Sequence, residues 1–211
     1  MDTLSRKEKE KQTREEDIIN AAEKIFILMG YNGASMEAIA KDCEFTRKTL
    51  YQYFADKEDL YFAVVSRGYK RLISYCKEEI KNGTTGFEKL QRLTSAYYRF
   101  YKDFPSTLHL MNYVGYINSK SENSSNQQTF NTATSLLAEE VSKVIYAGKA
   151  DGSIRTDLDS MSATYSAEFL ITGFFHMLSV SGETFTNHFS LDQEEFIHFN
   201  MNLLCDAFRA K

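Results

Sequence analysis

A chain of 211 residues, 43% hydrophobic and 14% aromatic with 16 Phe and 13 Tyr, carries enough apolar material for one large domain or two modest ones. A single proline and 10 glycines exclude an architecture of many strands and turns, so helices are expected to dominate. The net charge of −4 excludes a uniformly basic nucleic-acid binder: residues 1–57 hold 10 Lys and Arg against 11 Asp and Glu, so any polyanion contact must rest on individually placed side chains.

Met1 to Gln12 is polar and reads as a mobile arm. Between Arg6 and Arg14, however, it gathers five cations (Arg6, Lys7, Lys9, Lys11, Arg14) against Glu8 and Glu10. From Arg14 the apolar residues Ile18, Ala22, Ile25, Phe26 and Met29 follow helical spacing, and Glu15, Glu16 and Asp17 favour the positive end of the helix dipole. Gly30 is placed to end this first helix in a left-handed residue. Ser35 then caps a short second helix with Met36, Ile39, Ala40 and Cys43 on one side. Thr46 caps a third that runs to about Phe54, and Asp56 a fourth that runs to about Lys81.

Five more helices are predicted: Phe87 to about Asp103, Thr107 to about Asn118, Thr129 to Tyr146, Asp159 to Val180 and Leu191 to Arg209. Proline at 105 breaks the first of these from the second. The expected fold is all-α, with about nine helices: a three-helix helix-turn-helix domain in residues 1–57 and a larger helical domain in residues 58–211.

The third helix carries the chemistry. At about 100° per residue, Leu50 and Phe54 share one side and, with Phe45, can pack on Ile39, Phe26 and Ile25. Lys48 and Gln52 point the other way, Thr49 and Tyr51 flank them, and Arg47 stands at the exposed start. A short helix that anchors one face and offers donors and acceptors on the other suits the DNA major groove, where each base pair shows a distinct bonding pattern. A solvated face with no partner is the bland alternative.

Thr13 to Val64 resembles the DNA-binding region of the tetracycline-repressor (TetR) family. The resemblance rests on the first-helix pattern ending in Gly30-Tyr31, on "SMEAIA", on "TRKTLYQYF" and on "DKEDL". It implies that Arg47, Lys48 and Thr49 lie at the groove-reading start of the third helix, beside the further DNA-contact candidates Thr46 and Gln52, and that Tyr51 and Tyr53 meet phosphates or base edges through their hydroxyls. It also implies phosphate contacts for Lys57 and Thr13. Ser35 is a phosphate candidate that capping explains equally well, and Tyr53 could instead be a partly buried ring. Two departures stand in the turn between helices two and three: the family usually has glycine where this chain has Glu44, and a left-handed backbone there would cost a non-glycine residue roughly 1–2 kcal/mol, while Phe45 is larger than the usual aliphatic residue.

The same resemblance implies a homodimer on palindromic double-stranded DNA and a small-molecule effector in the rear domain. Ligand binding would shift helix four and so the spacing of the two recognition helices. For the dimer interface, Tyr165, Phe169, Phe196, Phe199 and Leu203 on the last two helices are the candidates, with the domain's own core as the alternative. For the pocket, the aromatic and methionine density of residues 97–116, which includes Tyr116, offers Tyr97, Tyr101, Phe104, Met111 and Tyr113, with Phe175 from the later helix. Plain packing is again the alternative, and the effector's identity is not legible beyond a flat, hydrophobic or cationic molecule.

Other function classes find little support. The four histidines show no metal-ligand spacing, "GTTGFEKL" lacks the phosphate-loop spacing, and Cys43, Cys76 and Cys205 read as reduced packing thiols. No enzyme, metal or cofactor is expected. No apolar run reaches the roughly 20 residues that cross a bilayer, and the charged start reads as lacking a signal peptide, so no membrane partner and a cytoplasmic location are expected. A helix-turn-helix regulator governed by a protein partner, without a small ligand, is the alternative of a different kind.

Overall fold

The computed structural model describes residues 5–114 and 124–211; Tyr116 and the predicted end of the sixth helix near Asn118 lie outside them. Nine helices form among the described residues: α1 (Arg6–Gly33), α2 (Met36–Asp42), α3 (Arg47–Leu50), α4 (Lys57–Ile80), α5 (Gly86–Asp103), α6 (Pro105–Tyr113), α7 (Ser125–Ala150), α8 (Ser160–His188) and α9 (Gln193–Asp206). No strand forms among those residues, apart from an isolated antiparallel bridge between Ile154 and Arg209.

The backbone divides into two compact units. The first is Met1–Gly68 with Tyr113–Thr132; the second is Tyr69–Asn112 with Ala133–Lys211. The sequence-based boundary at 57/58 therefore falls inside the first unit, because the opening turns of α4 bury Leu60, Tyr61, Phe62, Val64 and Val65.

In the first unit, Arg6–Gln12 is helical where a mobile arm was expected. Ser5 and Glu8 form a reciprocal capping box that satisfies two orphan N–H groups, and Arg6 pairs with Glu10 one turn on. Thr13 is therefore not at a helix start: it lies inside α1 and donates its hydroxyl to the Lys9 carbonyl at 3.0 Å. Ile18, Ala21, Ala22, Ile25 and Phe26 form the buried stripe of α1. Gly30 kinks its end at φ 66°, with nothing within 4 Å of a would-be Cβ; the backbone angle, not crowding, selects glycine. Arg67 of α4 donates to Asn20 at 2.6 Å and pairs with Glu23, tying α4 to α1.

Two later segments join this unit. Asn126 Nδ2 donates to the buried carboxylate of Asp59 at 3.0 Å, and the Phe130 ring lies 5.4 Å from that of Phe62. The other is Tyr113, the last residue of α6. It packs on Tyr31 and Tyr61 at centroid distances of 6.0 and 6.5 Å, and its hydroxyl accepts from Asn32 at 3.1 Å. Tyr113 was expected in a ligand pocket; its contacts make it part of the helix-turn-helix unit instead.

In the second unit α8 packs on both α5 and α9, and Leu93, Tyr97, Phe100, Ile171, Phe175 and Ile197 fill the interior. The start of α5 and the end of α7 meet at two glycines: a Cβ on Gly86 would lie 2.1 Å from the Cα of Gly148, so the approach tolerates no side chain. Asp151 and Ser153 accept from the N–H groups of Gly86 and Phe87 at 2.7 and 2.9 Å and satisfy that helix end. Cys76 and Cys205 are buried and free, and burial pushes their thiols up to about 12 and about 11.

Candidate nucleic-acid interface and regulatory surfaces

The helix-turn-helix is built around a buried apolar edge. Leu50 and Phe54 are 0% and 1% exposed, whereas Lys48 and Gln52 are exposed. Regular α-helix ends at Leu50. The chain then tightens, with Gln52 N–H donating to Thr49 and Tyr53 N–H to Leu50, before Phe54 N–H returns to the Leu50 carbonyl at 2.9 Å. The third helix is thus shorter than the predicted span to Phe54, although the sidedness read from the wheel holds through to that residue.

Thr46 does two things at the start of α3. Its hydroxyl accepts from the Thr49 N–H at 3.1 Å and lies 2.9 Å from the Thr49 hydroxyl. Arg47 is exposed, Tyr51 is 47% exposed, and Tyr53 and Thr49 are half-buried. Ser35 caps α2 by accepting from Ala38 at 3.1 Å while remaining exposed. In the turn, Glu44 adopts φ 58°, the left-handed conformation that glycine takes without penalty.

Lys57 departs from the expectation of a free phosphate ligand. Its ammonium donates to the carbonyls of Tyr31 at 2.7 Å and Ala34 at 3.0 Å, and sits 4.4 Å from the centre of the Tyr31 ring. Burial lowers the pKa of the Lys57 ammonium and pushes the Tyr31 hydroxyl up to about 12, with the nearby Glu58 and Asp56 carboxylates adding to the latter shift. The α1–α2 connection leaves carbonyls facing inward, and Lys57 satisfies them.

Of the residues expected to line a pocket in this unit, Tyr97, Met111 and Phe175 are buried and Tyr101 and Phe104 half-buried. Tyr97 and Phe175, each 1% exposed, stack at 6.2 Å, and Tyr101 lies 5.8 Å from Phe175 with its hydroxyl accepting from Gln193 at 3.2 Å. Phe104 packs on Phe100 and Tyr75 beneath the Arg71 guanidinium, and Met111 is buried. Open space in this unit lies elsewhere. A cleft of about 630 Å³ between α7 and α8 is lined by Ala138, Tyr146, Met161, Tyr165 and the carboxylates of Glu139 and Glu168, among others. Glu139 pairs with Lys143 at 3.2 Å. Glu168 has no hydrogen-bond or ion-pair partner among the described residues, and burial raises its pKa. Apart from Tyr165, expected at a dimer interface, the sequence gives no sign of these residues, because acids and tyrosines on amphipathic helices look like any solvated face.

A second surface runs along α8 and α9. Tyr165, Phe169, Leu170, Met177 and Val180 of α8, with Phe199 and Leu203 of α9, are 50–78% exposed. Phe196, expected among them, turns inward and packs on Phe174 and Phe185 at 6.1 and 5.7 Å. Gly173 leaves open space in the middle of the α8 stripe.

Among the described residues no group of three or more His, Cys, Asp or Glu is placed to hold a metal, and no helix is long and apolar enough to cross a membrane.

The profile described as "Bacterial regulatory proteins, tetR family" matches residues 18–64. The HTH-type transcriptional activator FasR of Mycolicibacterium smegmatis is 30% identical over 87 residues, covering 41% of this chain and 40% of FasR. The HTH-type transcriptional regulator UidR of Escherichia coli K12 is 36% identical over 81 residues, covering 38% of this chain and 40% of UidR. The chain thus spans less than half the length of these curated relatives. Among solved structures, FadR of Bacillus subtilis, crystallised with stearoyl-CoA, superposes with a TM-score of 0.68 over 90% of this chain and 96% of that one; at 22% identity the likeness is one of fold. Residues 18–64, which hold the helix-turn-helix, are thus similar to the tetR family of bacterial regulatory proteins.

Proposed function

We propose that the chain is a sequence-specific transcriptional regulator that binds a palindromic DNA operator as a homodimer, represses, and is released by a small molecule held in its second unit. The observation that carries the DNA reading is the sidedness of residues 46–54: Leu50 and Phe54 seat the segment while Lys48 and Gln52 stand clear of the protein. On this reading Arg47, Lys48, Thr49 and Gln52 meet base edges, and Thr46, Tyr51, Tyr53 and Ser35 approach the backbone. The exposed apolar stripe of α8 and α9 supports self-association, since its large side chains are half or more exposed among the described residues and two such helix pairs make a four-helix interface. Dimerisation also sets two recognition segments about 34 Å apart, one groove turn.

The cleft between α7 and α8 supports control by a small molecule over control by a protein partner. Its apolar walls suit the body of an acyl chain, in keeping with the stearoyl-CoA of the Bacillus subtilis FadR structure. Its two carboxylates oppose a polyanionic head, so an effector with an apolar body and a neutral or cationic head fits best.

The test is selection of duplexes from a random library by the full chain, followed by anisotropy titration with and without stearoyl-CoA, stearic acid and a cationic amphiphile. A selected palindrome bound by two protomers and released by one of these molecules is the expected result. Replacing Lys48 by Ala should relax preference at one position of each half-site, costing about 1–3 kcal/mol against the preferred base. Recovery of no preferred sequence would overturn the DNA reading. Retention of the complex at saturation by every effector would overturn the effector class.

A further inference from the structure

The first turns of α1 carry chemistry that the reading above leaves unused. Lys7, Lys11 and Arg14 recur at intervals of four and three and share one helix face. That face and the end of the recognition segment, Gln52 and Tyr53, wall a cleft of about 440 Å³ whose remaining lining is Glu8 and Glu10. Both carboxylates are already engaged. Glu8 accepts from the Ser5 N–H at 2.7 Å in the capping box, and Glu10 accepts from Arg6 at 3.1 Å. Lys7, Lys11 and Arg14 are exposed and have neither an ion-pair nor a hydrogen-bond partner among the described residues. Three cations without an ion-pair partner therefore converge on the opening that also holds Gln52, where they outnumber the two carboxylates.

We propose that this cleft between the α1 extension and the recognition segment is a second DNA-contact site, in which Lys7, Lys11 and Arg14 grip the sugar-phosphate backbone beside the base pairs met by Lys48 and Gln52. The proposal rests on the DNA-binding reading and extends it. At about 1.5 Å of rise per residue the three cations span roughly 10 Å of helix, and same-strand phosphates advance about 3.4 Å per base pair along the duplex, so two or three phosphates fall within reach. An acidic protein surface could satisfy the cations alone, but Gln52 and Tyr53 in the same cleft favour a ligand that the recognition segment already engages. Such contacts add affinity and register without sequence information. They also offer a way for a chain whose first 57 residues are not basic in sum to hold DNA, since Lys7, Lys11 and Arg14 face one opening while Glu8 serves a helix cap and Glu10 pairs with Arg6.

The measurement is operator affinity of the full-length chain across about 50 to 200 mM salt, on the duplex selected by the wild type and on an unrelated duplex of equal length. Each lost phosphate contact lowers the log–log salt slope by about 0.9. The Lys7→Gln/Lys11→Gln/Arg14→Gln variant should therefore lose up to about 2.7 from the slope per protomer, while the ratio of selected to unrelated affinity stays within about twofold because the contacts carry no base readout. Lys7→Arg/Lys11→Arg, which keeps charge and helix, should retain the wild-type slope. If the wild type binds with a steep slope and the triple variant matches it, the arm contacts nothing and this proposal fails alone. If the Arg variant loses the slope as the Gln variant does, charge is not the cause, and the proposal fails by that route. A wild type without preference or salt dependence would instead sink the underlying DNA reading.

Discussion

Lys57 holds its ammonium 2.7 Å from the carbonyl of Tyr31 and 4.4 Å from the centre of the same residue's ring. One side chain thus satisfies the end of α1, reaches the Ala34 carbonyl just before the α2 cap and rests on an aromatic face that Tyr61 also contacts, at 5.0 Å. The position of α2, and with it the recognition segment, depends on this knot. Replacing Lys57 by Ala leaves two inward carbonyls without a donor, and should lower stability by about 1–3 kcal/mol. Lys48→Ala, at an exposed position, should change it by less than about 0.5 kcal/mol. Urea midpoints at unchanged slope measure both, and equal midpoints for the two variants would show that Lys57 is an ordinary surface lysine.

Glu44 sits at φ 58° between α2 and α3. A left-handed backbone costs a non-glycine residue roughly 1–2 kcal/mol, and glycine removes that cost while adding freedom to the unfolded chain. Glu44→Gly should therefore stabilise by about 0.5–1 kcal/mol, the difference of those two effects. Glu44→Gln keeps the strain and removes the charge, so stability should hold while affinity for duplex rises at low salt. A glycine variant no more stable than the glutamine variant would place the strain elsewhere.

How far the sequence carried can be seen in single residues. The wheel located Leu50, Phe54, Lys48 and Gln52 on their observed sides because a short amphipathic segment has one buried face and three or four residues decide it. Glu44 was legible for a similar reason: backbone geometry at a tight turn is local. Tyr113 was not. Its partners, Asn32, Tyr31 and Tyr61, lie 52 or more positions away, and nothing in residues 105–113 records which unit the end of α6 will join. The burial of Tyr97 and Phe175 was not legible either, since both have the spacing of a cavity wall as much as of a core, and only three-dimensional contact separates the two. Arg6–Gln12 has the polarity of a mobile arm, and only the capping box of Ser5 and Glu8 marks it as the start of a helix.

In the second unit His176 has a buried Nδ1 with no hydrogen-bond partner among the described residues, and its ring lies nearly parallel to that of His109 at 6.3 Å. Burial, and to a lesser extent the charge that His109 can carry, lower the pKa of His176 below its ordinary 6.5. Between that ordinary value and the depressed one the unfolded chain binds a proton that the folded chain refuses, so the stability due to this residue is present above 6.5 and is lost as pH falls toward the folded value. Thermal unfolding from about pH 7.5 down to about pH 5.5 should show a decline that His176→Gln flattens, because glutamine does not titrate. An unchanged decline in that variant would assign the pH dependence to other groups.

Phe169 is 78% exposed and Phe199 64% exposed, on adjacent helices whose outer faces also carry Tyr165, Met177 and Leu203. Side chains of that size left in water contribute little to the protomer's own core, so their replacement separates association from folding. Phe169→Glu places a charge in the middle of the stripe, and two copies of it would meet across a two-fold axis, where like charges repel and neither finds water. The variant should sediment as a monomer at micromolar concentration while unfolding within about 0.5 kcal/mol of the wild-type protomer. Operator affinity should fall much further than any loss of base contact in one half-site explains, because a monomer meets the second half-site only as a separate, bimolecular event. Leu136, 44% exposed on α7 and outside the stripe, provides the control: Leu136→Glu should leave both the oligomeric state and operator affinity as they are. If Phe169→Glu remained dimeric, the α8–α9 face would not be the interface, and the partner of that apolar stripe would have to be sought in another molecule.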